Sequence, residues 1–166
     1  MGSIRALNFG FQTSPPLPED IKINIKVSHI PLMLSGFNIP VLISTATAFQ
    51  IPNNPQSVKT AQITAHFDTG ASKTSIDIAL AKQLNLIPTG ESPSNTAAGL
   101  RQATDFVVDI SFPGASLMPF RNLQISSCEL SNPVIPLPFQ MLIGRDIMSR
   151  WNIVWDGPTS TVIISD

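Results

Sequence analysis

Cysteine is nearly absent. Cys128 stands alone in a chain of 166 residues, so no internal disulfide can form and a stapled secreted scaffold is excluded. Charge is scarce as well. Asp, Glu, Lys and Arg make up 13% of the residues and balance to a net of -1. There is no basic excess to hold a nucleic-acid backbone and no acidic run of the kind found in disordered tails. Long apolar runs are also missing: none approaches the ~20 residues that span a bilayer. Met1 to Phe11 lacks a charged segment followed by an apolar stretch of about 7–15 residues, so no secretory leader is visible. These absences give the expectation of a soluble, cytoplasmic protein with no membrane partner and no nucleic-acid partner. His29, His66 and Cys128 lack metal-ligand spacing. No P-loop, Gly-x-Gly-x-x-Gly or Gly-x-Ser-x-Gly occurs. No metal and no cofactor is expected.

What is present is an apolar fraction of 43% and fifteen prolines. The first is ample for one buried core; the second cuts the chain into short elements and favours a mostly β architecture. Residues 1 to about 20 read as irregular, with Ser14-Pro15-Pro16-Leu17-Pro18-Glu19-Asp20 an extended linker. Ile21 to Val27 alternates strictly and reads as a half-buried strand. Residues 1–38 are thus taken as an N-terminal extension, a linker plus a strand that extends the sheet, serves as a dimer arm or acts as a pro-segment, and 39–166 as the main domain. Pro40 to Phe49 reads as a strand and Pro52 to Pro55 as a loop. In Ala61 to Phe67, Ile63, Ala65 and Phe67 alternate against Gln62, Thr64 and His66, which completes a hairpin. Ile76 to Leu86 shifts to helical period, with Ile76, Ala79, Leu80, Gln83 and Leu84 on one face. Thr89 to Arg101 is small and polar, a mobile loop or hairpin tip. Phe106, Val108, Ile110 and Phe112 alternate as a strand, and Leu123 to Ser127 is another. Phe139 to Ile143 is an apolar run closed by Gly144, and Asp146 to Arg150 fits one helical turn. Ile153 to Trp155 and Thr161 to Ile164 bracket Asp156-Gly157-Pro158 as a terminal hairpin.

The chemistry centres on Asp68-Thr69-Gly70, placed where a strand ends and a tight loop begins. That position exposes a carboxylate while the strand holds its backbone rigid. By itself the tripeptide also fits a turn whose Gly supplies positive φ. Its context is Phe67-Asp68-Thr69-Gly70-Ala71-Ser72 followed by a short helix. About seventy residues later come Met141-Leu142-Ile143-Gly144-Arg145-Asp146-Ile147-Met148 and then Trp151 to Asp156. These two motifs, in this order, resemble the retropepsin-like (retroviral-type) aspartic protease family. That family pairs an Asp-Thr/Ser-Gly-Ala loop with a later hydrophobic-hydrophobic-Gly-Arg-Asp/Asn turn and short helix. The resemblance runs from Pro40 to Ile164.

The resemblance implies an acid-protease barrel with one short helix after the catalytic loop and one near the C-terminus. It implies an aspartic endopeptidase that acts on peptide or protein substrates without a metal. Peptide hydrolysis of that kind needs one carboxylate as base toward water and one carboxylic acid to protonate the carbonyl. Two carboxyls about 3 Å apart share a proton and so supply both roles. The chain has one such Asp, so a homodimer with Asp68 and its twin at the two-fold axis is implied. Asp68, Thr69 and Gly70 are the catalytic residues of this reading. Ala71, Ser72, Ala98, Gly99, Leu142 and Ile143 are its substrate-binding residues, with Leu142 the pocket wall and Gly99 the flap tip. Gly144, Arg145 and Asp146 support the catalytic loop. Many viral members carry an acid after Asp-Thr-Gly-Ala that pairs the later Arg. Ser72 takes that place here, so Arg145 needs another partner, either Asp146 or a carbonyl. His66 stands where the family tends to be apolar and reads as outward-facing. Trp151 and Trp155 read as packing residues and Cys128 as a buried inert thiol. Asp77, Asp105, Asp109, Asp146 and Asp156 read as surface, capping or turn carboxylates. Two rival readings remain: a catalytically weak or inactive binding or scaffold module on the same fold, and a β-sandwich in which Asp68-Thr69-Gly70 is only a turn.

Overall fold

The computed structural model describes residues 3–7, 36–51, 58–96, 99–130, 139–157 and 161–166. The strand expected over Ile21 to Val27 and the loops around 52–57 and 131–138 lie outside the described residues. Among the described residues are ten strands: β1 (Ser3–Leu7), β2 (Asn38–Thr45), β3 (Thr60–Phe67), β4 (Ser75–Asp77), β5 (Pro88–Thr96), β6 (Gly99–Ser111), β7 (Phe120–Cys128), β8 (Met141–Ile143), β9 (Asn152–Asp156) and β10 (Thr161–Ser165). Two short helices accompany them, α1 (Ile78–Gln83) and α2 (Arg145–Met148). The architecture is mostly β, as expected.

Six strands close on themselves in the order β2, β3, β8, β4, β7, β6 and back to β2, and β5 extends the sheet beyond β6. The alternation that marked the strands fills this barrel. Val41, Ile43, Ile63, Ala65, Val108, Ile110, Ile125, Met141 and Ile143 turn inward and are buried. Each fully buried side chain of this size contributes roughly 1.5–3 kcal/mol. Even three-residue strands such as β8 are therefore held firmly. A second sheet, β1–β10–β9, packs Val162 and Ile164 into the same core. Trp151 closes the core in an aromatic group with Phe67, Phe112 and Phe120. Trp155 remains 54% exposed, its ring edge toward Phe37.

Several local expectations are corrected. Ser3–Leu7 is a strand that pairs with β10 from Ser3↔Ser165 to Leu7↔Thr161, not irregular chain. Phe37 and Asn38 are buried parts of the barrel, and their packing lies on the extension side of the boundary drawn at 38. The 40–49 strand ends at Thr45, and Thr47–Phe49 is a single 3-10 turn. Ile76 belongs to β4, paired with Ser127 and Met141, because Asp77 caps the helix one residue later. Its carboxylate accepts from the Ala79 N–H at 2.8 Å and the Leu80 N–H at 3.2 Å, which satisfies donors a helix start leaves open. The helix consequently buries Ala81, with Leu84 just beyond it, rather than Ala79 and Gln83. Of the two readings of Thr89 to Arg101 the structure has the hairpin, with strand on both sides of residues 97 and 98, paired from Gly90↔Asp105 to Thr96↔Gly99.

Asp105 and Asp109 are not surface groups. They alternate with the core residues Phe106, Val108 and Ile110 on β6 and are 3% and 2% exposed. Asp105 accepts from Ser126 Oγ at 2.7 Å, Ser92 Oγ at 2.9 Å and Gln124 Nε2 at 3.2 Å. Asp109 accepts from Arg121 at 2.9 Å, from the Asn122 N–H at 2.7 Å and from the Thr47 hydroxyl. Burial pushes both carboxyls up, but these donors, with the Lys73 charge near Asp105, outweigh it and hold both below the usual range.

Candidate active site

The loop from Asp68 to Thr74 leaves the end of β3 and must cross to β4. Strand β8 lies between those two strands, parallel to β3 and antiparallel to β4. The loop therefore arches over the end of β8. The Asp68 N–H donates to the Ile143 carbonyl at 3.0 Å, which carries the β3–β8 ladder one residue further. On the other side of the arch the Arg145 N–H donates to the Ala71 carbonyl at 3.0 Å. The crossing is tight: a Cβ on Gly144 would lie 2.4 Å from the Lys73 carbonyl carbon and 2.8 Å from the Thr74 nitrogen. Glycine is required there because the backbone occupies the space of any side chain.

Within the arch, Asp68 Oδ1 accepts from the Gly70 N–H at 2.8 Å and the Ala71 N–H at 3.2 Å. One carboxylate oxygen is thereby fixed by the loop's own backbone. Asp68 itself is half-buried, while Thr69, Gly70 and Ser72 are exposed and Ala71 is half-buried. Arg145 takes the carbonyl option. Its guanidinium donates to the Thr69 carbonyl at 2.7 Å and the Gly70 carbonyl at 3.2 Å. A carbonyl has two lone pairs, so Gly70 keeps one for another donor. Asp146 lies behind the loop. Its carboxylate accepts from the Thr74 N–H at 3.0 and 2.9 Å, from Thr74 Oγ1 at 2.8 Å and from the Ile147 N–H at 2.9 Å.

Thr74 is the residue that sequence reasoning missed. It is completely buried. Its hydroxyl also accepts from the Gly144 N–H at 3.1 Å, and its carbonyl accepts from the Ser126 N–H at 3.1 Å. One residue thus joins the loop, β7, Gly144 and α2, its carbonyl reaching β7 and its hydroxyl Gly144 and Asp146. Its partners lie 52 and 70–72 positions away, so no local pattern announces it.

The remaining site residues divide by strand parity. Leu142 is half-buried and faces away from the barrel interior, beside His66 of β3 and Ser75 of β4. Ile143 is 1% exposed and packs in the core; it serves the loop through its carbonyl. Gly99 ends the β5–β6 hairpin at φ +104° with open space around it, and Ala98 lies outside the described residues. The hairpin reaches back to the loop through Lys73 Nζ, 3.5 Å from Ser92 Oγ. His66 has the outward parity expected of it but is not solvent-facing. It is half-buried, its ring stacked on Phe139 at 4.5 Å and its Nδ1 2.9 Å from Asn38 Oδ1. Burial lowers its basicity and the Asp68 charge works against that. Burial pushes the Cys128 thiol up to about 12, which makes it a poor nucleophile. Among the described residues no group of three or more His, Cys, Asp or Glu is placed to hold a metal ion, and no helix is long and apolar enough to cross a membrane.

The closed barrel, the Asp-Thr-Gly loop crossing β8 and the short helix behind it define a retropepsin-like fold. Known structures with a similar fold include a retropepsin-like aspartic protease from Rickettsia conorii. It is 15% identical over 77% of this chain and 80% of that one, with a TM-score of 0.48. The retroviral protease-like domain of Ddi1 from Leishmania major is 13% identical over 72% and 79%, at 0.42. A foamy viral protease-reverse transcriptase is 16% identical over 68% of this chain and 12% of that one, at 0.38. No protein-family model and no curated protein matches the sequence.

Proposed function

We propose that this chain is one half of a homodimeric aspartic endopeptidase, with Asp68 as the catalytic carboxylate. The observation that carries the reading is the state of Asp68: one oxygen is pinned by two backbone N–H groups on a loop whose neighbouring residues are exposed. Two such loops meeting at a two-fold axis would bring two carboxyls together and force them to hold one proton between them. The ionised member takes a proton from water as its oxygen attacks the peptide carbonyl carbon. The protonated member gives its proton to the carbonyl oxygen. The tetrahedral adduct then collapses: the carboxyl that took the proton from water gives it to the leaving nitrogen, and the other takes back the hydroxyl proton as the new carbonyl forms, which restores the single shared proton. Leu142 would form an apolar wall beside the scissile bond, and the β5–β6 hairpin would cover the cleft and exclude water. No metal or cofactor enters this scheme.

The test is Asp68→Asn, assayed on an unstructured protein and on apolar peptides, with oligomeric mass measured by sedimentation. Hydrolysis should fall to background while the dimer persists. A variant that cleaves as well as the parent ends the assignment. A binding or scaffold module on the same fold is the second reading, favoured by Ser72, which leaves Arg145 engaged on catalytic-loop carbonyls instead of a carboxylate. A parent protein that binds peptides as a monomer and cleaves none would select it.

A further inference from the structure

The β5–β6 hairpin leaves the barrel at Asp105. Strand β6 pairs with β7 from Asp105 to Ile110 and with β2 from Val108 to Ser111. Among the described residues, 99–104 have ladder partners only in β5. Beyond Asp105 the hairpin is thus a two-stranded arm, and such an arm is marginal in water when it stands alone. Its root is irregular. Pairing shifts register between Pro88 and Gly90, opposite Phe106 and Asp105, and Thr89, the residue skipped, donates its hydroxyl to the Asp105 carbonyl at 3.2 Å. A bulge of this kind bends the strand that carries it. The Asp105 carboxylate spans the bend. Its Oδ1 accepts from Ser92 Oγ on the arm at 2.9 Å and from Ser126 Oγ on β7 at 2.7 Å, and its Oδ2 from Gln124 Nε2 at 3.2 Å. Ser126 in turn holds the catalytic loop, its N–H donating to the Thr74 carbonyl at 3.1 Å. From the other side Lys73 of that loop reaches Ser92 Oγ, with Nζ 3.5 Å away. These contacts close a ring through Lys73, Ser92, Asp105, Ser126 and Thr74. Asp105, 3% exposed, is the member that joins the arm to β7. Hydrogen bonds to an ionised acceptor are roughly twice as strong as neutral ones. Further out, Arg101 pairs with Glu129, but both side chains are more than half exposed, and water screens such a pair.

Resting on the aspartic-protease reading, we propose that Asp105 is a positioning residue: from its buried place it holds the β5–β6 hairpin at a fixed angle to the catalytic loop, so that the cleft is shaped for a peptide before the peptide arrives. Without this clamp the arm samples other angles, and only the molecules with the arm in place are ready to bind. Apparent affinity then falls in proportion to that fraction. Once substrate is bound the arm is back in place and the chemistry is unchanged. The clamp therefore acts on KM and leaves kcat alone.

The first test needs no catalysis. Ser92→Ala removes the arm's bond to Asp105 and leaves the carboxylate its Ser126 and Gln124 donors, so the buried charge stays satisfied. Amide hydrogen exchange is followed by NMR in the full-length parent and variants. The protected amides of residues 100–103 should exchange about tenfold faster in Ser92→Ala, with those of Val41, Ile43 and Ile63 in the barrel within about twofold of the parent. Arm amides as slow as the parent's, or a rise of equal size in arm and barrel, would overturn the proposal. Lys73→Met leaves the Ser92–Asp105 bond in place and should loosen the arm less; an equal loosening would assign the hold to Lys73 and overturn the role of Asp105. Asp105→Asn should loosen the arm at least as far as Ser92→Ala, and a smaller effect would count against it in the same way. Should Asp105→Asn not fold, the Ser92 and Lys73 variants decide. The second test is kinetic. Ser92→Ala should raise KM about tenfold with kcat within about twofold, and Ser92→Thr, which keeps the hydroxyl, should bring KM back to within about twofold of the parent. Equal KM in two active proteins would reject the role of the clamp and leave the protease reading intact. A parent that hydrolyses nothing would reject the protease reading, and hydrogen exchange would still decide whether Asp105 holds the hairpin.

Discussion

Replacing Thr74 by valine removes a single oxygen and keeps the side chain's shape. That oxygen donates to Asp146 at 2.8 Å and accepts from the Gly144 N–H at 3.1 Å, inside a residue with no solvent exposure. A hydrogen bond to a charged group contributes roughly 1.5–3 kcal/mol, and a buried N–H left without an acceptor costs roughly 1–3 kcal/mol. Asp146 retains the Thr74 and Ile147 N–H groups, so its charge is not left bare and the lower part of the combined range applies, about 2.5–4 kcal/mol. For a chain of this size that lowers Tm by roughly 5–15 °C. It also moves the urea midpoint down by about 1–2 M. Thr74→Ser, which keeps the oxygen and loses a methyl group, should cost only about 1 kcal/mol. Equilibrium urea unfolding of parent, valine and serine variants is the assay. A valine variant within about 0.5 kcal/mol of the parent, or no more affected than the serine variant, would refute the view that this hydroxyl ties the loop to the second helix.

The remaining predictions use the same measurement. Gly144→Ala places a methyl group against the Lys73–Thr74 backbone, and with no flexible side chain to yield it should cost about 3 kcal/mol, the upper end of the usual overpacking range; a variant as stable as the parent would mean that the crossing relaxes freely. Asp105 and Asp109 have folded pKa values below the ordinary range, so the stability they contribute is complete above the unfolded value of ~3.9 and is lost as pH falls through the lower folded values. Urea midpoints should therefore drop steeply between about pH 4 and pH 2. Asp109→Asn should be less stable at neutral pH and show a shallower acid decline, and an unchanged decline would assign the acid sensitivity elsewhere.

What the sequence made legible follows from the range of each interaction. The strands of the barrel show as alternation because each residue's inward or outward direction is decided by its immediate neighbours. Ile63 and Ala65 are visible in this way. Leu142 and Ile143 are neighbours in one apolar run, but strand parity leaves Leu142 half-buried on the outer face and places Ile143 in the core, and applying the alternation to that pair separates them. Apolar Ile76 fits either period, so periodicity alone starts the helix too early; the capping carboxylate of Asp77 decides the matter, and an N-cap Asp ahead of Ile78 is a signal present in the sequence. Residue type alone reads Asp105 and Asp109 as surface, capping or turn carboxylates. Their alternation with Phe106, Val108 and Ile110 places them on the opposite face of β6, and only the covering donors from β5, β7 and the Thr47 turn explain why that face is closed to water.

Gly144-Arg145-Asp146 reads as one motif, yet its members act on the loop in three unlike ways. Gly144 contributes the absence of a Cβ where another backbone crosses. Arg145 reaches forward to the carbonyls of Thr69 and Gly70. Asp146 reaches back to Thr74, and so grips the far end of the same arch. The loop is held in the middle by β8, at its front by a guanidinium and at its rear by a carboxylate. Asp68 needs no support from its own side chain's surroundings beyond two N–H groups. That division explains why the carboxylate can stand at an exposed edge and still be fixed. The rigidity comes from the backbone crossing and the Arg145 and Asp146 contacts beneath it, while Thr69, Gly70 and Ser72 remain exposed.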